Sequence, residues 1–147
     1  MAEQATQRLI MRATPEKIFD VVTDFEHYPQ WAGDIKQVTV VDRDEQGRGA
    51  KVAFRAAAFG RSTSYTLTYD YDKAPQEISW VQVRGDLTNR LDGTYLFEPS
   101  GHDTEVVYHL VAELRVPLPG FIKRRAEGRI MSTALKELKA RVESATV

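Results

Sequence analysis

Only the segment from Pro117 to Val147 carries the apolar spacing of a long helix, whereas nearly everything between Ile35 and Val116 has strand character. A β region of that size, closed by one long helix, buries its inner surface only by wrapping around the helix. Such a wrap leaves a hollow wherever the helix and the curved sheet do not meet. Where that hollow lies, and what lines it, is the functional question this chain poses.

The bulk properties bound the answers. A chain of 147 residues is expected to form one domain over residues 1–147, and it is long enough to bury roughly two-thirds of its unfolded surface. With 20 basic and 21 acidic residues the net charge is −1, so no global field favours nucleic acid or an acidic substrate, and no nucleic-acid partner is expected. The absence of cysteine excludes disulfides, thiolate metal sites and cysteine nucleophiles. The start of the chain lacks the apolar core of a signal peptide, and no run approaches the ~18 apolar residues of a membrane span. A cytoplasmic protein is the expectation; its oligomeric state is not legible.

Arg8–Arg12 has the pattern of a short first strand. Thr14-Pro15-Glu16 is a helix start: Thr14 can cap, Pro15 suits the first helical position, and Glu16 favours the positive end of the dipole. Ile18, Phe19, Val21, Val22 and Phe25 form its apolar face, and the helix is expected to stop near Asp24. Glu26–Trp31 predicts a second, short helical turn, because Pro29 argues against a long one. Strands are predicted at about 35–43, 50–58, 62–72, 77–84, 88–98 and 105–116, separated by turn-like segments. Short connections favour antiparallel neighbours and hence a meander.

Alternation assigns the strand faces. Tyr65, Leu67, Tyr69 and Tyr71 share one face, opposite Ser64, Thr66, Thr68 and Asp70. Leu91, Tyr95 and Phe97 share another, with Gly93 between them, and Val106, Tyr108, Leu110, Ala112 and Leu114 a third. The covered side is rich in tyrosine, whose buried hydroxyl must find a partner. Inward tyrosines therefore suit a wet or ligand-filled interior, unless each hydroxyl reaches the sheet rim.

On the terminal helix, Met131, Ala134, Leu135, Leu138, Val142 and Ala145 form one stripe. Extended towards the helix start, the stripe takes in Gly128, Glu127, Arg124 and, at its edge, Phe121. A glycine in a helix interior costs about 1 kcal/mol relative to alanine, so a close approach or space for a guest is expected at Gly128. Arg124 and Glu127 in a dry core would be unfavourable even as a pair. A polar-lined cavity mouth at the helix start resolves the conflict; snorkelling at the protein's edge is the alternative.

Other chemistry finds little support. Of His27, His102 and His109, only His27 is placed near a cavity rim, and no ligand spacing for a metal exists, so no metal site is expected. Nucleotide-binding and serine-hydrolase motifs are absent, and no cofactor is expected. Arg125, Arg129 and Lys136 lie on the outer side of the terminal helix. A solvated face is the simpler account of them; weak contact with anionic lipid headgroups, at about 1 kcal/mol per charge, is the alternative. Arg55, Arg84 and Arg90 lie in strands, with their faces undecided.

The stretch Ala13-Thr-Pro-Glu-Lys-Ile-Phe-Asp-Val-Val-Thr-Asp-Phe-Glu-His-Tyr-Pro-Gln-Trp31 resembles the opening of the polyketide cyclase/dehydrase and lipid-transport families of the START-like, or Bet v 1-like, superfamily. Gly93-x-Tyr95-x-Phe97-x-Pro99, Thr104-Glu-Val106 and the helix after Pro117-x-Pro119 extend the resemblance over essentially the whole chain. These motifs specify a fold better than a function. The resemblance implies an α+β helix-grip fold: a curved seven-stranded antiparallel sheet around a long C-terminal helix, with two short helices after the first strand. Members bind lipids, sterols, quinones or polyketides in an apolar cavity, and a minority cyclise and dehydrate aromatic polyketides. The segment Asp24–Trp31 is also similar to that of coenzyme Q-binding proteins.

The expected function is therefore binding or transport of a hydrophobic small molecule. Phe54, Tyr65, Tyr69, Leu91, Tyr95 and Tyr108 would form the sheet side of its site. Phe121 and Met131 would form the helix side, with Arg124 and Glu127 orienting the polar end. Gly120 and the Pro117–Pro119 segment would let the helix start shift to admit the guest. The alternatives are a polyketide cyclase/dehydrase, for which no residue here is assigned as catalytic, and a protein-interaction module of the same fold.

Overall fold

The computed structural model describes residues 3–58, 60–115 and 119–144. Ala145, Phe59 and the Pro117-Leu118 part of the expected hinge lie outside them.

The chain runs β1 (Glu3–Met11), α1 (Pro15–Thr23), a 3-10 turn (Phe25–Gln30), β2 (Ile35–Arg43), β3 (Gly49–Ala58), β4 (Arg61–Asp70), β5 (Glu77–Gly85), β6 (Thr88–Ser100), β7 (Asp103–Leu114) and α2 (Gly120–Ser144). The seven strands form one curved antiparallel sheet in the order β1-β7-β6-β5-β4-β3-β2, a meander from β2 to β7 that β1 completes at the β7 edge. This is the helix-grip architecture that the sequence predicts. The first strand is longer than expected: its polar start, Glu3–Gln7, pairs with Tyr108–Ala112 and is held by the ladder rather than by its own apolar content.

Local chemistry sets the first helix as expected. Thr14 accepts a hydrogen bond from the Lys17 amide at 3.2 Å, Pro15 occupies the first turn, and Asp24 ends the helix with its amide on the Val21 carbonyl. Ile18 and Val22 are its buried face. In the 3-10 turn, Phe25 is buried and the Tyr28 hydroxyl donates to the Val22 carbonyl at 2.5 Å, which ties the turn back onto α1.

Helix α2 packs on β1, β7 and α1 rather than across the middle of the sheet. Its core stripe, Met131, Leu135, Leu138 and Val142, is fully or almost fully buried. It joins Met11, Ile18, Val22, Phe97 and Val106 in the core. The inner surface of β3–β6 is thus left without a helix directly over it. The α1 end of the sheet is plugged by core, whereas the opposite end carries the β3–β4 and β5–β6 connections, the start of β2 and the end of β7. The hollow opens towards that second end.

Candidate functional site

The hollow is a cavity of about 230 Å³. Its sheet wall is aromatic: Phe54 from β3, Tyr65 and Tyr69 from β4, Trp80 from β5, Tyr95 from β6 and Tyr108 from β7, with Leu91 beside them. These side chains are one face of five adjacent strands, presented together because side chains at every second residue point the same way. Phe54 and Tyr65 are stacked with centroids 5.2 Å apart, and the other rings meet tilted, at 4.6 Å for Tyr95 and Tyr108, 5.2 Å for Trp80 and Tyr95, and 5.9 Å for Tyr69 and Trp80.

Trp80 reaches this position because of Gly93. The two are register partners on β5 and β6. A Cβ on residue 93 would lie 2.3 Å from the indole Cζ2, so only glycine lets the ring lie against the strand. The glycine singled out between Leu91 and Tyr95 in the sequence is therefore the seat of a cavity-wall tryptophan. Trp80 itself is not among the site residues that the sequence predicts. The signal that would have found it is the pairing of a glycine on one strand with an aromatic on the next.

The tyrosine hydroxyls divide into two groups. Tyr28 donates to the Val22 carbonyl and Tyr71 to the Gly49 carbonyl at 2.7 Å, both consumed by backbone. Tyr95 and Tyr108 hydrogen-bond to one another. Tyr65 and Tyr69 donate to no protein group among the described residues. No fully enclosed polar side-chain atom there lacks a partner, so both oxygens keep surface open to the hollow. Burial pushes the ionisation of Tyr65, Tyr69, Tyr95 and Tyr108 well up, and the nearby Asp34 carboxylate adds to the rise at Tyr65. These hydroxyls stay protonated at neutral pH and act as hydrogen-bond donors.

The mouth is built from the loop after the 3-10 turn (Trp31, Ala32, Asp34), Leu87 of the β5–β6 connection with Thr88 at the start of β6, and one side of α2. Two side-chain bonds fasten that loop to the helix. Glu137 accepts from the Gly33 amide at 3.0 Å, and Arg141 donates to the Gln30 side chain at 3.0 Å. The Asp34 carbonyl accepts from the Ala57 amide at 2.8 Å, joining the same loop to the end of β3.

The helix contribution differs from the sequence expectation. Ile130, Thr133, Ala134 and Glu137 line the cavity, and Phe121, Arg124, Glu127 and Met131 do not. Met131 is fully buried in the core and Glu127 is 4% exposed on the same stripe. Phe121 is 60% exposed, and Arg124 is exposed with its guanidinium folded back beside Gly120. The reason is rotational. The apolar stripe of α2 faces β1, where the Gly128 carbonyl accepts from the Gln7 side chain at 2.9 Å. The cavity lies about 100° further round the helix, the displacement of a single residue. Gly128 has no tight neighbour either, since a Cβ there would meet only the Gln7 amide at 3.9 Å.

The remaining candidates fall outside the cavity. His27 is exposed and paired with the Asp24 carboxylate at 2.7 Å, and it does not line the mouth. His109 bonds Thr6 on the outer face. Arg55, Arg84 and Arg90 are exposed, as are Arg125, Arg129 and Lys136 on α2. Among the described residues no cluster of His, Asp and Glu could hold a metal ion, and no helix is long and apolar enough to cross a membrane.

A family model described as polyketide cyclase / dehydrase and lipid transport matches residues 1–143. A START superfamily protein from Mycobacterium smegmatis superposes with a TM-score of 0.91 at 26% identity, over 97% of this chain and 99% of that one. A protein of Thermus thermophilus gives a TM-score of 0.81 at 25% identity, over 99% and 100%. An aromatase/cyclase of a Streptomyces species shares the fold at 13% identity, with a TM-score of 0.84 over 97% and 94%. No curated protein sequence matches the chain significantly.

Proposed function

We propose, for a chain that belongs to the polyketide cyclase/dehydrase and lipid-transport family, that it binds a compact hydrophobic small molecule in the cavity between sheet and helix and acts as its carrier. The observation that supports this reading is the aromatic hollow with the Tyr65 and Tyr69 hydroxyls open to it. A water-filled apolar pocket gains by exchanging its water for an apolar guest, and two unsatisfied donors give that guest a preferred orientation. At about 230 Å³ the hollow lies below the range of roughly 300–1,000 Å³ usual for drug-sized ligands, so the guest is compact. Burying about 250 Å² of a two-ring aromatic gives on the order of 6 kcal/mol, a Kd of tens of micromolar. Isothermal titration with 2-naphthol tests this: the reading expects one site, weakened at least fivefold by Ala112→Phe, which fills the hollow. No binding by the unaltered protein would count against it.

The second reading, a cyclase or dehydrase, draws on the cluster of protonated tyrosines. Donors fixed in a dry site stabilise an enolate oxygen that forms in front of them. The same raised ionisation leaves them unable to take a proton at neutral pH, and Arg124, the cation that reading would use, is outside the cavity. A carrier therefore accounts for more of the site. Turnover of a poly-β-ketone that is lost in Tyr108→Phe would reverse this preference. A protein-interaction role has no observation of its own in this structure.

A further inference from the structure

The charges at the cavity mouth are of one sign. Among the described residues, the lining contains two ionisable carboxylates, Asp34 on the loop and Glu137 on α2, and no lysine, arginine or histidine. The two acids stand on neighbouring elements of the mouth, and the Glu137 hydrogen bond from the Gly33 amide holds the Asp34 loop against the helix. Two cations are tied to this segment, Lys36 through the Gly33 carbonyl at 2.8 Å and Arg141 through the Gln30 side chain at 3.0 Å, and neither is part of the lining. The remaining polar side chains of the lining are the hydroxyls of Thr63, Thr88, Thr133 and the tyrosines and the indoles of Trp31 and Trp80. Thr63 is committed to Asp86 at 2.5 Å, Thr88 to Gln82 and one Glu137 oxygen to the Gly33 amide, which leaves the Thr133, Tyr65 and Tyr69 hydroxyls, the Asp34 carboxylate and the second Glu137 oxygen for a guest.

Apolar walls make the field of a carboxylate stronger inside the hollow than in water, and they deprive a charged guest of hydration. A carboxylate, sulfate or phosphate entering here would lose its water and meet two like charges, with no cation in the lining to compensate. An alcohol, phenol or amine would instead offer protons to groups that accept them. The acids would also attract a cationic guest to the mouth before entry.

Resting on the carrier reading above, we infer that Asp34 and Glu137 determine specificity: the cavity takes amphiphiles whose polar end is neutral or cationic and donates hydrogen bonds, and it rejects anionic ones. Free fatty acids and phospholipids are on the rejected side; hydroxylated aromatics and amines are on the accepted side.

Three probes of one size separate the possibilities: 2-naphthol, 2-naphthylmethylamine and 2-naphthoate, titrated calorimetrically into the intact protein at neutral pH and low salt. The ammonium and the carboxylate both carry a full charge, so their ratio reports the field rather than the general cost of dehydrating an ion. The expected result is that the amine binds at least about tenfold more tightly than the carboxylate, with the phenol also ahead of the carboxylate. In the double variant Asp34→Asn, Glu137→Gln, that ratio is expected to fall below about threefold. Both substitutions keep the shape of the side chain, and the carboxamide oxygen introduced at position 137 can still accept from the Gly33 amide. Circular dichroism and the melting temperature establish that the variant is folded. Carboxylate binding as tight as that of the amine, or a ratio unchanged in the folded double variant, would overturn the inference while leaving the carrier reading intact. Failure of all three probes to bind would overturn both.

Discussion

A tyrosine turned into a protein interior must give its hydroxyl a partner or leave it beside space that water or a guest can use. All six tyrosines of this chain have their ionisation pushed upward, in each case chiefly by burial; Tyr71, the least enclosed, reaches about 12. A group whose deprotonated form is disfavoured by folding contributes stability below its unfolded pKa of about 10 and loses it as pH rises above that. Spectrophotometric titration is therefore expected to show almost no tyrosinate at about pH 10.5–11 while the protein is folded, followed by joint ionisation as alkali unfolds it. Two or more tyrosines titrating near their ordinary value in the folded protein would contradict the burial described. Gly93 gives a second test at this scale. Gly93→Ala drives a methyl into the Trp80 indole, so the ring must leave the cavity wall. The expected outcome is a loss of roughly 1–3 kcal/mol by denaturant unfolding, with a changed tryptophan emission spectrum. An unchanged spectrum would show that the ring does not depend on the glycine.

At the scale of elements, strand alternation is a sound guide and helix angle only half of one. The tyrosine face of β4 is legible because the small hydroxylated residues Ser64, Thr66 and Thr68 alternate with the large residues Tyr65, Leu67 and Tyr69. On β5 they do not: Val81 and Val83 are apolar yet 53% and 52% exposed, so the pattern conceals that Ile78 and Trp80 are the inward pair. On α2 a single apolar stripe identifies Met131, Leu135, Leu138 and Val142 correctly as core. A stripe cannot say whether it packs on a strand or faces a void, and here it packs on β1. The cavity-facing set, Ile130, Thr133, Ala134 and Glu137, mixes apolar, hydroxyl and acidic groups and looks like an ordinary helix flank. Variants can separate the two faces. Leu135→Ala is expected to cost about 2–5 kcal/mol in stability. Phe121→Ala, at an exposed position, should change stability by no more than about 0.5 kcal/mol and leave 2-naphthol affinity as it was. A several-fold loss of affinity in Phe121→Ala would return the helix start to the binding site. The loop strap makes a further prediction. Glu137→Ala removes the acceptor of the Gly33 amide, so that amide should exchange hydrogen at least about tenfold faster, with amides of β6 and β7 unaffected.

For the molecule as a whole, the hollow follows from where α2 lies. A helix packed on β1, β7 and α1 leaves the concave surface of β3–β6 covered by the loop after the 3-10 turn and one flank of α2, and the sheet lines that surface with rings. Fold and cavity wall could thus be anticipated from the alternation of a few strands and the motifs of the family. The acidic mouth could not, because Asp34 and Glu137 lie far apart in the sequence and come together only through the loop–helix contact. The measurement that tests the central claim most directly is a methyl NMR titration with 2-naphthol. Leu67, Leu87, Leu91, Leu114 and Ile130 line the hollow, whereas Val41, Val81 and Val83 are exposed away from it. The account predicts saturable shifts at the first set, with the second unmoved. Shifts centred on Val41, Val81 and Val83, or none at saturating probe, would contradict it.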